Sequence, residues 1–197
     1  IKTNITLSFQ YIVCLWPSVS ASVACLIDFF LKMTDSAAAL RSMLLTTMSP
    51  NNEARKSAEK SLTDFEGQQG YTPELLRLMN ALNKATASED VSVRAAAAAA
   101  FKNAIRKRWA PGEDSDYTAI PDADRDIIKV HLVDLMCSAP RGLQKQLGEA
   151  VSLIAKHDFP DRWQSLLAHL VAKLQDSQDL YVINGVMSTA GSLFKRY

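Results

Sequence analysis

Two apolar stripes in succession near the end of the chain restrict its fold more than any other feature. Trp163, Leu166, Leu167, Leu170, Val171 and Leu174 follow the i, i+3, i+4, i+7, i+8, i+11 series of one helical face. Pro160 precedes them at the expected helix start, where its missing N–H costs nothing and its fixed φ helps. A polar break from Gln175 to Asp179 leads to a second series, Leu180, Ile183, Val186, Met187, Ala190, Leu193 and Phe194. The spacing predicts two antiparallel helices with one apolar stripe each. Such a pair leaves apolar surface uncovered and needs neighbours of its own kind.

The rest of the chain supplies them. From Ser36, the residues Leu40, Met43, Leu44 and Met48 make a short stripe stopped by Ser49-Pro50. The next helix starts at Asn51 or Asn52, buries Ala54, Ala58, Leu62 and Phe65, and ends at Gly67. Thr72-Pro73 reads as an N-cap with proline at the first helical position, followed by Leu75, Leu78, Met79 and Leu82. Asp90 is expected to cap a helix from Val91 to about Trp109. Its middle, Ala95 to Ala100, is a slim, strongly helical cylinder suited to an inner position with neighbours on several sides. Ala110 to Pro121 is a long connection. Pro121-Asp122 opens a helix with Ile128, His131, Leu132, Leu135 and Met136, and Pro140 opens one with Leu143, Leu147, Ala150, Val151 and Ile154. First helices therefore begin near Ser36, Pro73, Asp122 and Pro160, and second helices near Asn51, Asp90, Pro140 and Asp179. That period, roughly 40 residues, is that of HEAT and armadillo arrays, and two helices per unit favour HEAT. The expected fold is all-α, a HEAT-repeat superhelical solenoid of antiparallel helix pairs, with no strand-like alternation after Met33. The sequence stops at Tyr197 without a polar capping helix, so it reads as the N-terminal part of a longer array.

Residues 1–32 differ from the rest. From Ile5 to Leu31 the only charge is Asp28. Hydropathy alone allows a membrane anchor or a signal sequence with Ser22-Val23-Ala24 as cleavage site. Pro17, Gln10 and several serines interrupt the run, and Met33-Thr34-Asp35-Ser36-Ala37 reads as a fresh start. The expectation is an atypical apolar extension over 1–32, dispensable to an array over 33–197. The alternatives are a targeting segment and a fold element capping the open end of the stack. The sequon Asn4-Ile5-Thr6 is short enough to arise by chance.

Chemistry is sparse. Formal net charge is +1, which argues against a bulk electrostatic grip on nucleic acid. Cys14, Cys25 and Cys137 are an odd set without CxxC spacing, better read as small hydrophobes in a reducing compartment than as nucleophiles. His131, His157 and His169 form no i, i+4 pair, and His131 beside an apolar stripe reads as a core histidine. Asp158 with Asp161 reads as helix-start charge, and Glu113, Asp114 and Asp116 as a solvated loop. No catalytic, cofactor or metal motif is found, so the chain reads as a non-enzyme without cofactor. One charge cluster stands out: Lys102, Arg106, Lys107 and Arg108 beside Trp109. It reads either as cations offsetting a helix C-terminus or as a surface for an acidic partner. Lys102 and Arg106 share a face, whereas Lys107 lies about 100° away, so only part of the cluster can face one partner.

Three stretches carry a family resemblance: Phe101-Lys102-Asn103-Ala104-Ile105-Arg106-Lys107-Arg108-Trp109; Asp158-Phe159-Pro160-Asp161-Arg162-Trp163 with Leu166-Leu167; and Val182-Ile183-Asn184-Gly185-Val186 through Ser192-Leu193-Phe194-Lys195-Arg196-Tyr197. Over about 35–197 the chain resembles the N-terminal region of importin-β-type nuclear transport receptors (karyopherins), most of all the exportin branch that returns importin-α to the cytoplasm. Gln164 and Gly191 depart from the usual pattern, and neither touches the stripe. The resemblance implies inner helices that meet Ran in its GTP form, importin-α as cargo, nuclear pore proteins as further contacts, and shuttling between nucleus and cytoplasm. It implies no nucleic acid, and no membrane unless residues 1–32 are an anchor. Lys102 and Asn103 are candidate Ran contacts by motif match. Asn52, Arg55, Lys56, Arg106, Gln144 and Lys145 are candidates by helix position alone. Two other classes compete: a HEAT scaffold in another complex without GTPase dependence, and a membrane-anchored helical protein.

Overall fold

The computed structural model describes residues 36–195. The chain divides into two units, Ile1–Ala39 and Leu40–Tyr197. Of the first, only 36–39 are described, and they are helical. The expectations for residues 1–32 lie outside the described residues.

Among the described residues there are eight helices and no strand. They are α1 (36–46), α2 (Asn52–Glu66), α3 (Tyr71–Ala81), α4 (Ser88–Arg108), α5 (Asp122–Ser138), α6 (Arg141–Asp158), α7 (Ser165–Asp176) and α8 (Leu180–Phe194). Within pairs, α3 packs on α4, α5 on α6 and α7 on α8. Between pairs, α4 lies beside α6 and α6 beside α8, while α3 lies beside α5 and α5 beside α7. First helices form one layer and second helices the other, which is the all-α HEAT-type arrangement that the stripes predict. A single core runs through both layers from Leu40 to Leu193, with Leu75, Met79, Phe101, Trp109, Ile128, Leu132, Leu147 and Leu166 among its buried members.

Local signals set several boundaries. Asn51 caps α2, its side chain accepting from the amides of Glu53 and Ala54, and Gly67 ends the helix. Asp179 caps α8 by accepting from the Tyr181 amide. Elsewhere tertiary contacts move the boundary. Helix α3 starts at Tyr71, ahead of the expected Thr72-Pro73 cap, because Gly70 takes a left-handed φ of 87° there and donates its N–H to Asp124 Oδ2 at 2.7 Å. Asp124 belongs to the first turn of α5 and is buried, so one hydrogen bond ties the starts of two neighbouring first helices. Helix α4 starts at Ser88, and Asp90, expected as its cap, instead sits in the first turn and pairs with Arg41 at 2.7 Å. Arg94, also buried, donates to the carbonyls of Leu82 and Asn83 at 2.8 Å each, placing a cation on the carbonyls that follow α3. In the alanine run Ala97 and Ala98 are buried, while Ala95 and Ala99 stay open. Helix α4 is thus approached closely by α3 and α6 and keeps one bare line.

The largest departure from the sequence reading is at Asp158 to Trp163. Asp158 ends α6, and α7 begins only at Ser165, so neither Asp158 nor Pro160 lies at a helix start. The Phe159–Pro160 peptide bond is cis. Asp158 is 2% exposed; its Oδ2 lies 2.6 Å from Lys129 Nζ and its Oδ1 accepts from Trp109 Nε1 at 3.1 Å. Lys129 and Arg125 stand over the Trp109 ring at 5.8 and 5.2 Å, and Arg125 also donates to the Trp109 carbonyl at 2.8 Å. Burial with a paired cation, not the dipole of a following helix, accounts for the carboxylate here. Trp163 is buried as expected, but from the turn ahead of α7.

Helices α6 and α8 approach closely through glycine. A Cβ at Gly148 would lie 2.8 Å from Thr189 Oγ1, and one at Gly185 would collide with the Gln144 amide. Thr189 is 3% exposed, and its hydroxyl already bonds to the Gly185 carbonyl at 2.9 Å and the Met136 sulfur at 3.1 Å. A short, buried, branched side chain has nowhere to swing. Gly148→Ala gains about 1 kcal/mol in helix propensity and costs about 1–3 kcal/mol in overpacking. A net loss of up to about 2 kcal/mol is expected in a urea titration, largely recovered by adding Thr189→Ala. A stabilised single variant would show that the helices part freely.

Candidate partner-binding face

The second helices turn one side to their partners in the pair and the other to solvent. Open positions along one side of α4 are Val91, Ala95, Ala99, Asn103 and Arg106; along one side of α6 they are Gly142, Lys145, Glu149 and Lys156. These recur at three-, four- and seven-residue spacing, so each set lies on a single helical face. Lys102 Nζ reaches across to Glu149 Oε2 at 3.1 Å. That bond places the two faces side by side as one continuous surface. It is polar, mixed in charge, and lined on α4 by alanines that allow close approach of a partner's backbone.

The charge cluster after Phe101 resolves into four separate environments. Lys102 is paired with Glu149, and Arg106 is exposed. Lys107 lies 5.2 Å over the ring of Tyr117, in the connection between α4 and α5. Arg108 is buried, 4.0 Å from Glu66 and 5.7 Å from the same tyrosine ring. The cluster therefore divides by residue: Arg108 serves the fold, and Arg106 is exposed.

Of the other candidates, Asn52 and Lys56 are exposed on α2, and Arg55 is half-buried there. Arg55 donates to Asn52 Oδ1 at 2.8 Å and lies 4.0 Å from Glu59, so two of the three are engaged within their own helix. Asn103 and Lys145 are exposed on the joint face. Gln144 is turned inward: it is buried, donates to the Tyr181 carbonyl at 3.2 Å, and fills the space that Gly185 leaves. A signal for this exists in the sequence. Gln144, Gly148, Ser152 and Ala155 repeat at helical spacing and are small after the first, which marks a second buried stripe, and its Gln144 and Gly148 meet α8.

The opposite, first-helix layer carries a different set. Asp134 on α5 accepts from His169 at 3.0 Å and pairs with Lys173 at 2.7 Å, joining α5 to α7. Partial burial pushes the Asp134 carboxyl up, but the hydrogen bonds from Lys173 and His169 outweigh it and hold the group below the ordinary carboxylate range. His131, expected in the core, is instead exposed in a shallow cleft between α3 and α5 with Arg77, Asn80 and Lys173. Burial pushes the Tyr71 phenol well up, with Glu66 adding to it, and likewise raises the Cys137 thiol. Neither is poised to act as base or nucleophile at neutral pH. Among the described residues no group of histidine, cysteine and carboxylates could hold a metal ion, and no helix is long and apolar enough to cross a membrane.

The family model for the importin-β N-terminal domain matches residues 58–138, from within α2 to the end of α5. The chain is 43% identical to exportin-2 of Oreochromis niloticus and of Homo sapiens over 158 residues, and 45% identical to exportin-2 of Drosophila melanogaster over 159 residues. Each match covers 80% of this chain. The chain spans 15–16% of the length of these relatives.

Proposed function

We propose that this chain, which matches the importin-β N-terminal domain at its centre and resembles exportin-2 over four fifths of its length, belongs to a karyopherin-type transport receptor that returns importin-α to the cytoplasm, and that its second-helix face docks the small GTPase Ran in its GTP form. On this reading the protein is a non-enzymatic carrier that shuttles between nucleus and cytoplasm, meets pore proteins on the way, and engages no nucleic acid, and no membrane unless residues 1–32 are an anchor. The observation that carries the reading is the continuous face of α4 and α6, joined by the Lys102–Glu149 bond. Arg106 and Lys145 stand on it exposed and pair with no carboxylate among the described residues. Rigid helices carrying unpaired cations suit a large, partly polar protein interface better than a small-molecule pocket.

Discrimination between nucleotide states follows from the partner. The switch segments of a GTPase are ordered by the γ-phosphate and Mg²⁺ and released on hydrolysis, so a rigid face binds the ordered form. Calorimetry of the chain against Ran loaded with GTP or GDP tests this. Binding is expected for the GTP form and much weaker for the GDP form. Arg106→Glu with Lys145→Glu should weaken it by about tenfold or more, because both charges lie on the face. Lys107→Glu, whose wild-type ammonium is held over Tyr117, should change it by about twofold at most. Equal affinity for the two nucleotide states, or equal loss from the two variants, would replace this reading with a HEAT scaffold for another partner.

A further inference from the structure

Glu149 is the one acidic side chain in the middle of the α4–α6 face, and it is surrounded by cations. Lys145 lies one turn before it on α6, Lys156 two turns after it, and Arg106 one turn beyond Lys102 on α4, all three exposed. Within the Lys102–Glu149 pair the two ends are unequally open: the lysine side chain is 23% exposed and the glutamate 47%. Only Oε2 is used by the lysine, and Oε1 accepts no hydrogen bond among the described residues. A partner settling here meets the carboxylate before it meets the ammonium.

We propose that Glu149 is the specificity determinant of this face: it admits an acidic surface only where that surface places a basic side chain opposite Glu149. The proposal rests on the reading of this face as a partner-docking surface. The physical argument has two parts. The flanking cations attract acidic surfaces of many kinds and by themselves discriminate little. A single half-exposed carboxylate among them repels any surface that is acidic throughout and rewards one that carries a cation at that point. Specificity of this type comes from the repulsive element as much as from the attractive one. Lys102 has a positioning role: its bond to Oε2 holds the carboxylate and leaves Oε1 without a hydrogen bond among the described residues.

Glu149→Gln isolates the charge, since the amide oxygen still accepts from Lys102 and the position is exposed enough to leave folding untouched. The full chain and this variant are titrated with GTP-loaded Ran and with poly-L-glutamate, a uniformly acidic probe, at one ionic strength. Affinity for Ran is expected to fall about three- to tenfold, and affinity for poly-L-glutamate to rise about twofold or more. Glu149→Asp, which keeps the charge on a shorter arm, should recover part of the Ran affinity. Unchanged or tighter Ran binding by Glu149→Gln overturns the inference and leaves the docking face standing. Absence of Ran binding by the wild-type chain is seen before any variant is compared, and overturns the docking reading and the inference together.

Discussion

Asp158→Ala is expected to lower the free energy of unfolding by about 3–5 kcal/mol, the cost of removing one partner of a buried ion pair. Three groups depend on that carboxylate. Lys129, with 12% of its side chain exposed, loses the counter-charge 2.6 Å from its ammonium. The indole N–H of Trp109, itself 2% exposed, loses its acceptor. The C-terminus of α6 loses its tie to α4 and α5 at once. Lys129 keeps some compensation, because it also donates to the Arg162 carbonyl at 3.0 Å and lies over the Trp109 ring. That places the expected value toward the lower end of the range. Asp158→Asn separates the terms: the amide oxygen can still accept from Trp109, while the charge opposite Lys129 is gone. The expected order of urea midpoints is wild type, then Asn, then Ala. Equal loss from Asn and Ala would assign the whole effect to the charge, and a loss below about 1 kcal/mol from Ala would remove this junction from the causes of stability.

The same junction shows why part of the fold could be read from sequence and part could not. Stripes and caps are local. Asn51 and Asp179 act on amides two or three residues away, so residue type and spacing suffice to place α2 and α8. Asp158 is set by residues far along the chain, Lys129 and Trp109, and no local pattern distinguishes a carboxylate that ends one helix from one that begins the next. Gly70 is a similar case: its hydrogen bond to Asp124 comes from another pair and moves the start of α3 ahead of an otherwise sound Thr-Pro signal. The apolar stripes also overstate burial at the last pair. Leu167 and Val171 on α7 are 40% and 42% exposed, and Leu180, Met187 and Phe194 on α8 are more open still. A stripe records which positions are apolar, and neighbours decide which of them are covered.

For the candidate face the division is the same. That Lys102 and Arg106 share a side follows from their four-residue spacing. That Lys102 is answered by Glu149, and that Gln144 turns inward, depends on the distance between helices. Two glycines set that distance for α6 and α8, and a glycine inside an apolar helical run, costly in itself, is the sequence trace of such an approach.

Trp163→Ala is expected to cost about 3–5 kcal/mol, as for truncation of a large buried aromatic, and to do so in a way that reports the architecture. The ring is 4% exposed and belongs to the common core, yet it sits in the turn ahead of α7 and not on the helix. It therefore plugs the point where the last pair joins the one before, and its loss leaves a cavity at that seam. In a stack where each unit contacts only its neighbours, stability is close to a sum of unit and interface terms, so damage at one seam stays near it. Amide protons of α7 and α8 should exchange markedly faster in the variant, while those of α3 and α4 keep most of their protection. The urea transition should broaden, with a lower apparent m, as the last pair melts ahead of the rest. Leu166→Ala, which empties a fully buried position on α7 itself, should give the same pattern with a loss of about 2–5 kcal/mol. Uniform loss of protection across all helices in both variants would mean that the pairs fold as one cooperative block, and the nearest-neighbour account of this chain would have to be given up.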